Sequence, residues 1–285
     1  MVIYNMHFYE NEPVSLYLKD LTLIQKYSSS KQSVALMSHP WLGKVLIING
    51  EIQHIEKYQS LYHELLVHLP AAFVPSIGSV LILGGGSLFA AYEALKYPSV
   101  KTVVLCDHDH TVLELMREHY SHAKKVLSDP RFCHIEQDAR EYIRETNQKF
   151  DLVINDCFNL ATESSCDGTS YFMLLSNLCT GDGVCADIIY RHIFDKQVTV
   201  DTLTKLRLER QVALSLVTVP EYPGILHLET IWGKSAYLSQ RRDFTVNDFQ
   251  NEVLTTNNSP FQIYNPGNLP FYLYLPPYIK EMFNL

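Results

Sequence analysis

The stretch 80-VLILGGGSLFAAYEALKYPSVKTVVLCDHDH-110 decides the fold of this chain. An apolar run ends in three glycines, 84 to 86, a helical pattern follows, and a second apolar run ends in Asp107. Glycines after a strand allow a tight turn and a close approach to a ligand. An acid about 20 residues later can accept hydrogen bonds from ribose hydroxyls. The order predicts a nucleoside site, and an ordinary tight turn beside a solvated acid is the alternative.

Short apolar strands alternate with helical stretches from about residue 78 onward, a pattern typical of a parallel sheet covered by helices on both faces. The predicted strands are 80–83, 102–106, 132–136, 152–155 and 183–189, and the predicted helices are 87–97, 110–120, 138–146 and 168–179. Two later runs, 211–219 and 225–232, predict an antiparallel pair that closes the sheet.

The first 57 residues have a different pattern. Three short β-rich runs, 15–18, 33–37 and 44–48, are separated by turn signals such as Asn49-Gly50, which predicts a small antiparallel sheet of hairpins. Leucines at four-residue spacing over 58–70 then indicate a helix that stops at Pro70. We therefore predict two domains, 1–57 and 58–285.

Composition limits the functional classes. The chain has 285 residues, 47% of them apolar, and a net charge of -8, which argues against a nucleic-acid partner and is compatible with cationic substrates. No apolar run reaches the roughly 18 residues of a membrane span, and the N-terminus does not resemble a secretion signal. Six cysteines without a CxxC pair indicate reduced thiols and a cytoplasmic protein.

Two further acids end predicted strands. Asp138 stands before a helix, so it is either an N-cap or a carboxylate that accepts from an adenine amino group. Asp156 ends the fourth strand, and ligands of such folds bind outside the carboxyl ends of the strands. We therefore expect Asp156 to face the crevice; a turn former or helix cap is the alternative.

On these residues the chain resembles the polyamine aminopropyltransferases, the spermidine synthase family. The resemblance implies a Rossmann-like, methyltransferase-type parallel sheet with helices on both faces, preceded by the small antiparallel β domain. The matching segments, which cover nearly the whole chain in the family's order, are 43-GKVLIINGEIQ-53, 62-YHELLVHLP-70, 83-LGGGS-87, 105-LCDHD-109, 128-SDPRFCHIEQDAREYI-143, 153-VINDC-157, 221-EYPG-224 and 261-FQIYNPGNLPFYLYLPPYIKEMF-283.

The resemblance also implies an adenosyl sulfonium donor and a homodimer. Asp156 would accept a proton from the attacking amine and touch the donor, while Tyr62 and Tyr222 would orient the acceptor together with Asn159. No metal and no covalent enzyme intermediate are expected. The donor would lie against Gln32, Gln53, His63, Gly84, Gly85, Gly86, Ser87, Asp107, His108, Asp138 and Ala139.

Two positions depart from the family pattern. Ser87 stands where the family has an acid after its glycines, and Asn159 replaces the second acid of its catalytic loop. Two like charges about 4 Å apart interact by about 4 kcal/mol at an effective dielectric constant of 20, so each lost anion matters. We therefore expect intact S-adenosylmethionine as the donor, rather than its decarboxylated form, and an acceptor that is not a simple doubly charged diamine. A small molecule or a modified peptide would fit.

Three functions follow from this interpretation. Attack on the γ-carbon would transfer a 3-amino-3-carboxypropyl chain, or aminopropyl from the decarboxylated donor, and release methylthioadenosine. Attack on the methyl carbon would make the protein an N-methyltransferase that releases S-adenosylhomocysteine. The altered loop 156–160 also leaves a non-catalytic nucleotide-binding protein as an alternative.

Two features of the sequence could suggest a metal site or a catalytic cysteine, but the sequence context favours neither. The run 106–110, Cys-Asp-His-Asp-His, has ligand types that suit zinc, but adjacent residues at one strand end cannot surround a cation. Cys157 follows Asp156, yet sulfonium transfer needs no thiol nucleophile. We expect neither a metal site nor a catalytic cysteine.

Overall fold

The computed structural model describes residues 2–8, 14–28, 31–157, 165–166, 169–192, 196–209, 211–235, 238 and 247–285. An N-terminal antiparallel sheet precedes a larger sheet that carries helices on both faces, so the predicted fold class is confirmed. The division into domains at residue 57 remains a prediction. Among the described residues, every helix falls short of the length and apolar character that a membrane crossing requires.

Five strands in chain order form the N-terminal sheet. Fully buried side chains such as Leu21, Val45 and Ile52 fill its core. Asn49 and Gly50 both have positive φ angles, 53° and 87°, as the tight turn of a two-residue hairpin requires. The strands are β1 (Ile3–Phe8), β2 (Leu16–Ser28), β3 (Ser33–His39), β4 (Gly43–Ile48) and β5 (Glu51–Ile55). The three predicted β-rich runs lie in β2, β3 and β4, and the sequence interpretation listed no run for β1 or β5.

Seven strands form the larger sheet, in the order β13-β14-β12-β9-β6-β7-β8. The five predicted parallel strands are present, and β14 pairs antiparallel with β13 as predicted. On its other side β14 also pairs antiparallel with β12. The strands are β6 (Ser79–Gly84), β7 (Thr102–Cys106), β8 (Phe132–Ile135), β9 (Phe150–Asp156), β12 (Cys179–His192), β13 (Gln211–Val217) and β14 (Ile225–Gly233), while β10 (Ser165–Cys166) and β11 (Thr169–Ser170) form a separate short pair.

Helices cover both faces of this sheet. Pro70 lies inside the last turn of the first helix instead of ending it, because only one main-chain hydrogen bond is lost there. The helices are α1 (Gln59–Ala71), α2 (Phe89–Ala94), α3 (His110–His119), α4 (Ser121–Ser128), α5 (Ala139–Glu145), α6 (Tyr171–Leu178), α7 (Lys196–Glu209), α8 (Asp248–Thr256), α9 (Leu269–Tyr272) and α10 (Pro277–Met282). The sequence interpretation did not predict α4, α7 or the helices of the C-terminal tail.

The C-terminal tail is fixed to α1 by one buried acid. Glu64, 1% exposed, accepts hydrogen bonds from the backbone N–H groups of Gln262, Ile263 and Tyr264. A carboxylate that accepts several backbone N–H groups is well satisfied in the interior. The tail therefore holds α1 in position, and α1 carries two residues of the predicted site, Tyr62 and His63.

Candidate active site

The largest group of predicted site residues meets at a switch point of the sheet. The connection after β6 leads to β7 on one side, whereas β9 joins β6 on the other, and ligands bind where the strand order diverges in this way. A cavity of about 540 Å³ lies there, at the carboxyl ends of β6, β7 and β9. We call Asp107, His108, Asp138 and Ala139 its β7 side, and Asp187, Glu221, Tyr222 and His227 its β12 side.

The glycines are required because acidic side chains pack directly against them. Gly85 has φ +76°, and a Cβ added there would lie 2.9 Å from Oδ2 of Asp156. A Cβ on Gly86 would lie 3.0 Å from Oδ2 of Asp107. A side chain at either position would push an acid out of place, so the bare backbone brings two carboxylates to one loop. The same bare loop leaves room for a nucleoside to approach the main chain.

Hydrogen bonds orient the acids of the β7 side. Oδ1 of Asp107 accepts from the backbone N–H of Asp109 at 2.9 Å, and its side chain is 14% exposed. Asp138 caps α5, since its Oδ1 accepts from the N–H of Arg140 at 2.8 Å. Asp138 therefore does serve as an N-cap, and it also lines the cavity. Its role toward an adenine ring remains a prediction.

Asp156 and Tyr62 form the centre of the cavity. Asp156 ends β9, and the hydroxyl of Tyr62 on α1 donates to its Oδ1 at 3.0 Å. Part of Asp156 is exposed to the cavity, but protein encloses the carboxylate, and this burial raises its pKa to about 7. The hydrogen bond from Tyr62 opposes the shift, while the charges of Asp107 and Asp187 add to it. A carboxylate with a pKa near neutrality is suited to accept a proton.

Cys157 is not activated for nucleophilic attack. Burial raises the pKa of its thiol well above the usual value, and the neighbouring carboxylates Asp107 and Asp156 raise it further. A reactive cysteine needs a lowered pKa and a positive environment. Its sulfur instead packs against the glycine loop, where a Cβ on Gly84 would lie 2.5 Å from Sγ.

The loop after β13 is fixed to the N-terminal sheet at the β12 side. Tyr222 donates its hydroxyl to the carbonyl of Ile52 at 2.8 Å, and Glu221 accepts from the N–H of Ile55 at 3.1 Å. His227 on β14 lies with its ring centroid 5.8 Å from that of Tyr222. Both β5 contacts are main-chain groups, so the position of this loop depends on the N-terminal sheet.

Sequence interpretation missed two acids of the β12 side. Asp187 on β12 is 5% exposed and accepts from Nδ2 of Asn155 at 3.0 Å, and Glu221 is 4% exposed. Both line the cavity. The available signal was an acid inside an apolar strand for Asp187 and an acid directly before the predicted tyrosine for Glu221. The sequence predicted a cavity with few anionic groups because Ser87 and Asn159 are neutral. That prediction did not include the carboxylates of Asp187 and Glu221.

The structure brings the predicted residues together with one exception. Gln32, Gln53, His63, Ser87 and the other predicted donor residues line the same cavity as Tyr62, Asp156 and Tyr222. Asn159 lies outside the described residues. No group of three His, Cys, Asp or Glu side chains within the described ranges could hold a metal ion. The individual roles of these residues remain predictions.

The chain matches known proteins along most of its length. A profile described as the spermine/spermidine synthase domain matches residues 59–242. The chain belongs to the spermine/spermidine synthase family. A polyamine aminopropyltransferase of Thermoanaerobacter sp. (strain X514) is 27% identical over 286 positions that cover 96% of each chain. Thermospermine synthase ACAULIS5 of Arabidopsis thaliana is 30% identical over 50% of this chain and 45% of its own.

Solved structures of the spermine/spermidine synthase family share the fold. Spermidine synthase from Thermotoga maritima superposes with a TM-score of 0.84 at 25% identity, covering 100% of this chain and 94% of that one. A spermidine synthase in complex with the transition state analogue AdoDATO gives a TM-score of 0.84 over 99% of this chain and 94% of its own, also at 25% identity. The resemblance predicted from the sequence is confirmed. The curated relatives are aminopropyltransferases, so the predicted enzyme class, a transferase, is confirmed too.

Proposed function

We propose that this family member transfers a C3 chain from an adenosyl sulfonium donor to an acceptor nitrogen and releases methylthioadenosine. The observation that carries the proposal is the Asp156–Tyr62 pair, 3.0 Å apart in the same cavity as Asp107 and Asp138. The β7 side would hold the nucleoside, with Asp107 on the ribose and Asp138 on the adenine. The activity of the curated relatives supports this assignment.

The residues of the cavity would align the reactants and take a proton. The sulfonium supplies an electrophilic carbon and a neutral thioether as leaving group. The nitrogen lone pair forms the new N–C bond as the S–C bond breaks, so an acceptor that arrives as an ammonium must first lose a proton. Asp156, with a pKa raised to about 7, would take that proton, and Tyr62 would hold its carboxylate in place. Alignment of nitrogen and carbon supplies the larger share of the rate increase.

For the donor we propose intact S-adenosylmethionine. Ser87 lines the cavity directly after the glycines and carries no charge, so it neither repels a donor carboxylate nor neutralises a lone ammonium. The decarboxylated donor is the second candidate, because the relatives transfer aminopropyl groups. The acceptor would be a small amine. A cytoplasmic location and a dimeric assembly remain predictions.

The test is to identify the nucleoside that the protein forms. The protein is incubated with each donor and a series of amines, and the nucleosides are separated by chromatography. Methylthioadenosine from intact S-adenosylmethionine is the expected product, and methylthioadenosine from the decarboxylated donor alone would correct only the donor assignment. S-adenosylhomocysteine would indicate methyl transfer and overturn the proposal. Donor binding by calorimetry without any product would support the non-catalytic alternative.

A further inference from the structure

His54 is a buried histidine that the proposed reaction does not use. It lies on β5, is 2% exposed and lines the same cavity as Asp156. Its Nε2 forms a hydrogen bond of 3.0 Å with the hydroxyl of Tyr120, whereas Nδ1 has no partner in the described part of the chain. The two ring nitrogens point in nearly opposite directions, so Nδ1 lies on the cavity side of the ring. A buried polar atom without a partner is unfavourable, and a bound ligand would satisfy it.

His54 belongs to the end of the cavity where the glycine loop leads into α2. Its ring packs edge-on against Phe89, with the ring centroids 5.1 Å apart, and Phe89 begins α2 two residues after Ser87. The ring of His63 lies on the same phenyl group, with its centroid at 5.0 Å. We call His54, His63 and Ser87, which all line the cavity, its Ser87 end. His122 fixes this end from behind, since its Nε2 donates to the carbonyl of Ser87 at 3.0 Å.

The charges around the Ser87 end differ from those around the reaction centre. Burial lowers the pKa of His54 well below 6.5, and three neighbouring bases lower it further: His63, His122 and Lys44. Burial shifts the pKa of Asp156 upward, and the charges that add to this shift are those of the acids Asp107 and Asp187. An anionic group of a ligand is therefore better accommodated beside His54 than beside Asp156.

The two histidines of the Ser87 end offer complementary groups to a ligand. Nδ1 of His63 donates to the carbonyl of Gln59 at 2.9 Å, so the ring proton lies on Nδ1 and Nε2 carries a lone pair. Burial lowers the pKa of His63 to about 4, which keeps this ring neutral near pH 7. When the hydroxyl of Tyr120 donates to Nε2 of His54, the proton of that ring lies on Nδ1. One N–H group and one lone pair match the carboxylate and the ammonium of an α-amino acid group.

We propose that His54 is a specificity-determining residue whose Nδ1–H donates a hydrogen bond to the carboxylate on the amino acid chain of the sulfonium donor. The inference rests on the proposed function, since it takes the sulfonium to react beside Asp156. The ligand class is an adenosyl sulfonium or thioether that keeps its α-amino acid group. Ser87 only removes a repulsion from that carboxylate, whereas His54 adds an attraction. The transferred chain carries the carboxylate, so the same contact would hold it until the new N–C bond has formed.

The test removes one ring nitrogen of His54 at a time. The amide nitrogen of asparagine is a δ atom, so His54→Asn keeps an N–H group near the position of Nδ1. The amide nitrogen of glutamine is an ε atom, so His54→Gln keeps only a group that can contact Tyr120. His7→Gln, at an exposed position of β1, is the control for the same substitution outside the cavity.

Calorimetry with four ligands measures whether the carboxylate is recognised. S-adenosylmethionine and S-adenosylhomocysteine carry the carboxylate, whereas decarboxylated S-adenosylmethionine and methylthioadenosine lack it. Each set contains one sulfonium and one neutral thioether, so the charge on sulfur is matched. We expect His54→Gln to weaken binding of the two carboxylate ligands about 10- to 100-fold, the range for a hydrogen bond to a charged group, and binding of the other two less than about two-fold. His54→Asn should keep all four affinities within about three-fold of the wild type.

Three binding outcomes would overturn the inference. An equal loss for all four ligands in His54→Gln would mean that the residue only supports the shape of the cavity. No loss for any ligand would mean that His54 does not contact the donor. An equal selective loss in His54→Asn and His54→Gln would mean that Nδ1 is not the recognising atom. His7→Gln is expected to bind like the wild type, and a melting temperature for each variant separates a folding defect from a binding effect.

The two thioethers keep this inference separate from the proposed function. S-adenosylhomocysteine and methylthioadenosine lack the sulfonium, so their binding requires no turnover. A loss confined to S-adenosylhomocysteine in His54→Gln supports the inference even if the wild type forms no product, in which case only the proposed reaction fails. If His54→Gln binds both thioethers as the wild type does, the inference is overturned even if product forms.

Discussion

The β7 and β12 sides of the cavity are built in different ways. On the β7 side, Asp107 follows β7 directly and Asp138 stands between β8 and α5, within one continuous stretch of sequence. On the β12 side, Asp187 lies inside a strand and Glu221 in a loop that is fixed to the N-terminal sheet by Ile55. The β7 side is thus a local property of one supersecondary unit. The β12 side depends on contacts between residues more than 160 positions apart in the chain.

This difference separates what the family shares from what a member can vary. Strand, glycine loop, helix and acid must stay together to form the nucleoside site, because each positions the next. The acids of the β12 side have no such linkage, so one can be lost from a loop while another is supplied by a neighbouring element. We therefore expect changes on the β7 side to affect donor binding and changes on the β12 side to affect acceptor choice.

The largest expected effect is at the centre of the cavity, between the two sides. Asp156→Asn should reduce kcat by a factor of about 10²–10⁴ and leave donor affinity within a few-fold, because the amide cannot accept the proton. Steady-state kinetics gives kcat, and calorimetry with S-adenosylmethionine in the absence of an acceptor gives the donor affinity. Unchanged turnover would show that Asp156 is not the base.

The pH profile provides a second test of the same residue. Burial raises the pKa of Asp156 to about 7, and only the ionised carboxylate can accept a proton. The wild-type rate should therefore rise with pH through about 7 and level off above it, with the acceptor kept saturating. The residual rate of Asp156→Asn should lack this rise. A profile that is flat between pH 6 and 8 in the wild type would contradict the assignment.

The next effect belongs to the β7 side. Asp107→Asn keeps an acceptor for the N–H of Asp109 but removes the negative charge, so it should weaken donor binding about 10- to 100-fold, the range for a charged hydrogen bond. Acceptor preference should not change. Calorimetry with S-adenosylmethionine gives the affinity, and the diamine-to-monoamine ratio of kcat/KM gives the preference. A change in that ratio would break the proposed separation of the two sides.

A third substitution tests the donor. Ser87→Asp places a carboxylate after the glycines, and it should shift the ratio of kcat/KM toward decarboxylated S-adenosylmethionine about 10- to 100-fold, since like charges about 4 Å apart repel by several kcal/mol at moderate dielectric. Ser87→Asn is the uncharged control of the same shape. If both variants keep the wild-type ratio of kcat/KM for the two donors, the side chain at position 87 does not interact with the donor's carboxylate.

The β7 side and the parallel strands could be predicted because both arise from short sequence patterns. Apolar runs of strand length, glycines and a following acid lie next to each other in the chain, and the structure places them as expected. The antiparallel pair β13 and β14 was predicted for the same reason. Helix α4 was missed because only one extended residue, Tyr120, separates it from α3. No glycine or proline marks this break in the sequence.

The β12 side could not be predicted because no local pattern encodes it. Asp187 occurs within an apolar strand, where an acid gives no indication of which face or which partner it meets. The cavity position of Glu221 depends on an N–H group of β5, and the pairing of a loop with a distant strand is invisible in one sequence. The resemblance to the family supplied Tyr222 but not the acid beside it.

A buried acid next to the β12 side gives the smallest expected effect. Glu229 on β14 stands two residues after His227 and opposite Ile188, both of which line the cavity. Its side chain is fully buried, and neither carboxylate oxygen has a hydrogen-bond partner in the described part of the chain. Burial raises the pKa of Glu229 well above its ordinary value of 4.5. The folded protein therefore keeps this carboxyl protonated at pH values where the unfolded chain ionises it.

The sign of the resulting pH dependence follows from this proton. Because the folded state retains it, the contribution of Glu229 to stability is fully present below about pH 4.5 and is lost as pH rises through the folded-state pKa, by up to about 1.4 kcal/mol per pH unit. Glu229→Gln should remove that loss, so its free energy of unfolding in urea should fall less than that of the wild type between pH 5 and pH 7. Parallel curves would mean that Glu229 is ionised in the folded protein.

The same variant also tests the extent of the acceptor site. Because Glu229→Gln leaves Glu221 and Asp187 in place, the diamine-to-monoamine ratio of kcat/KM should equal that of the wild type. A change in this ratio would mean that the acceptor site extends beyond His227 to Glu229.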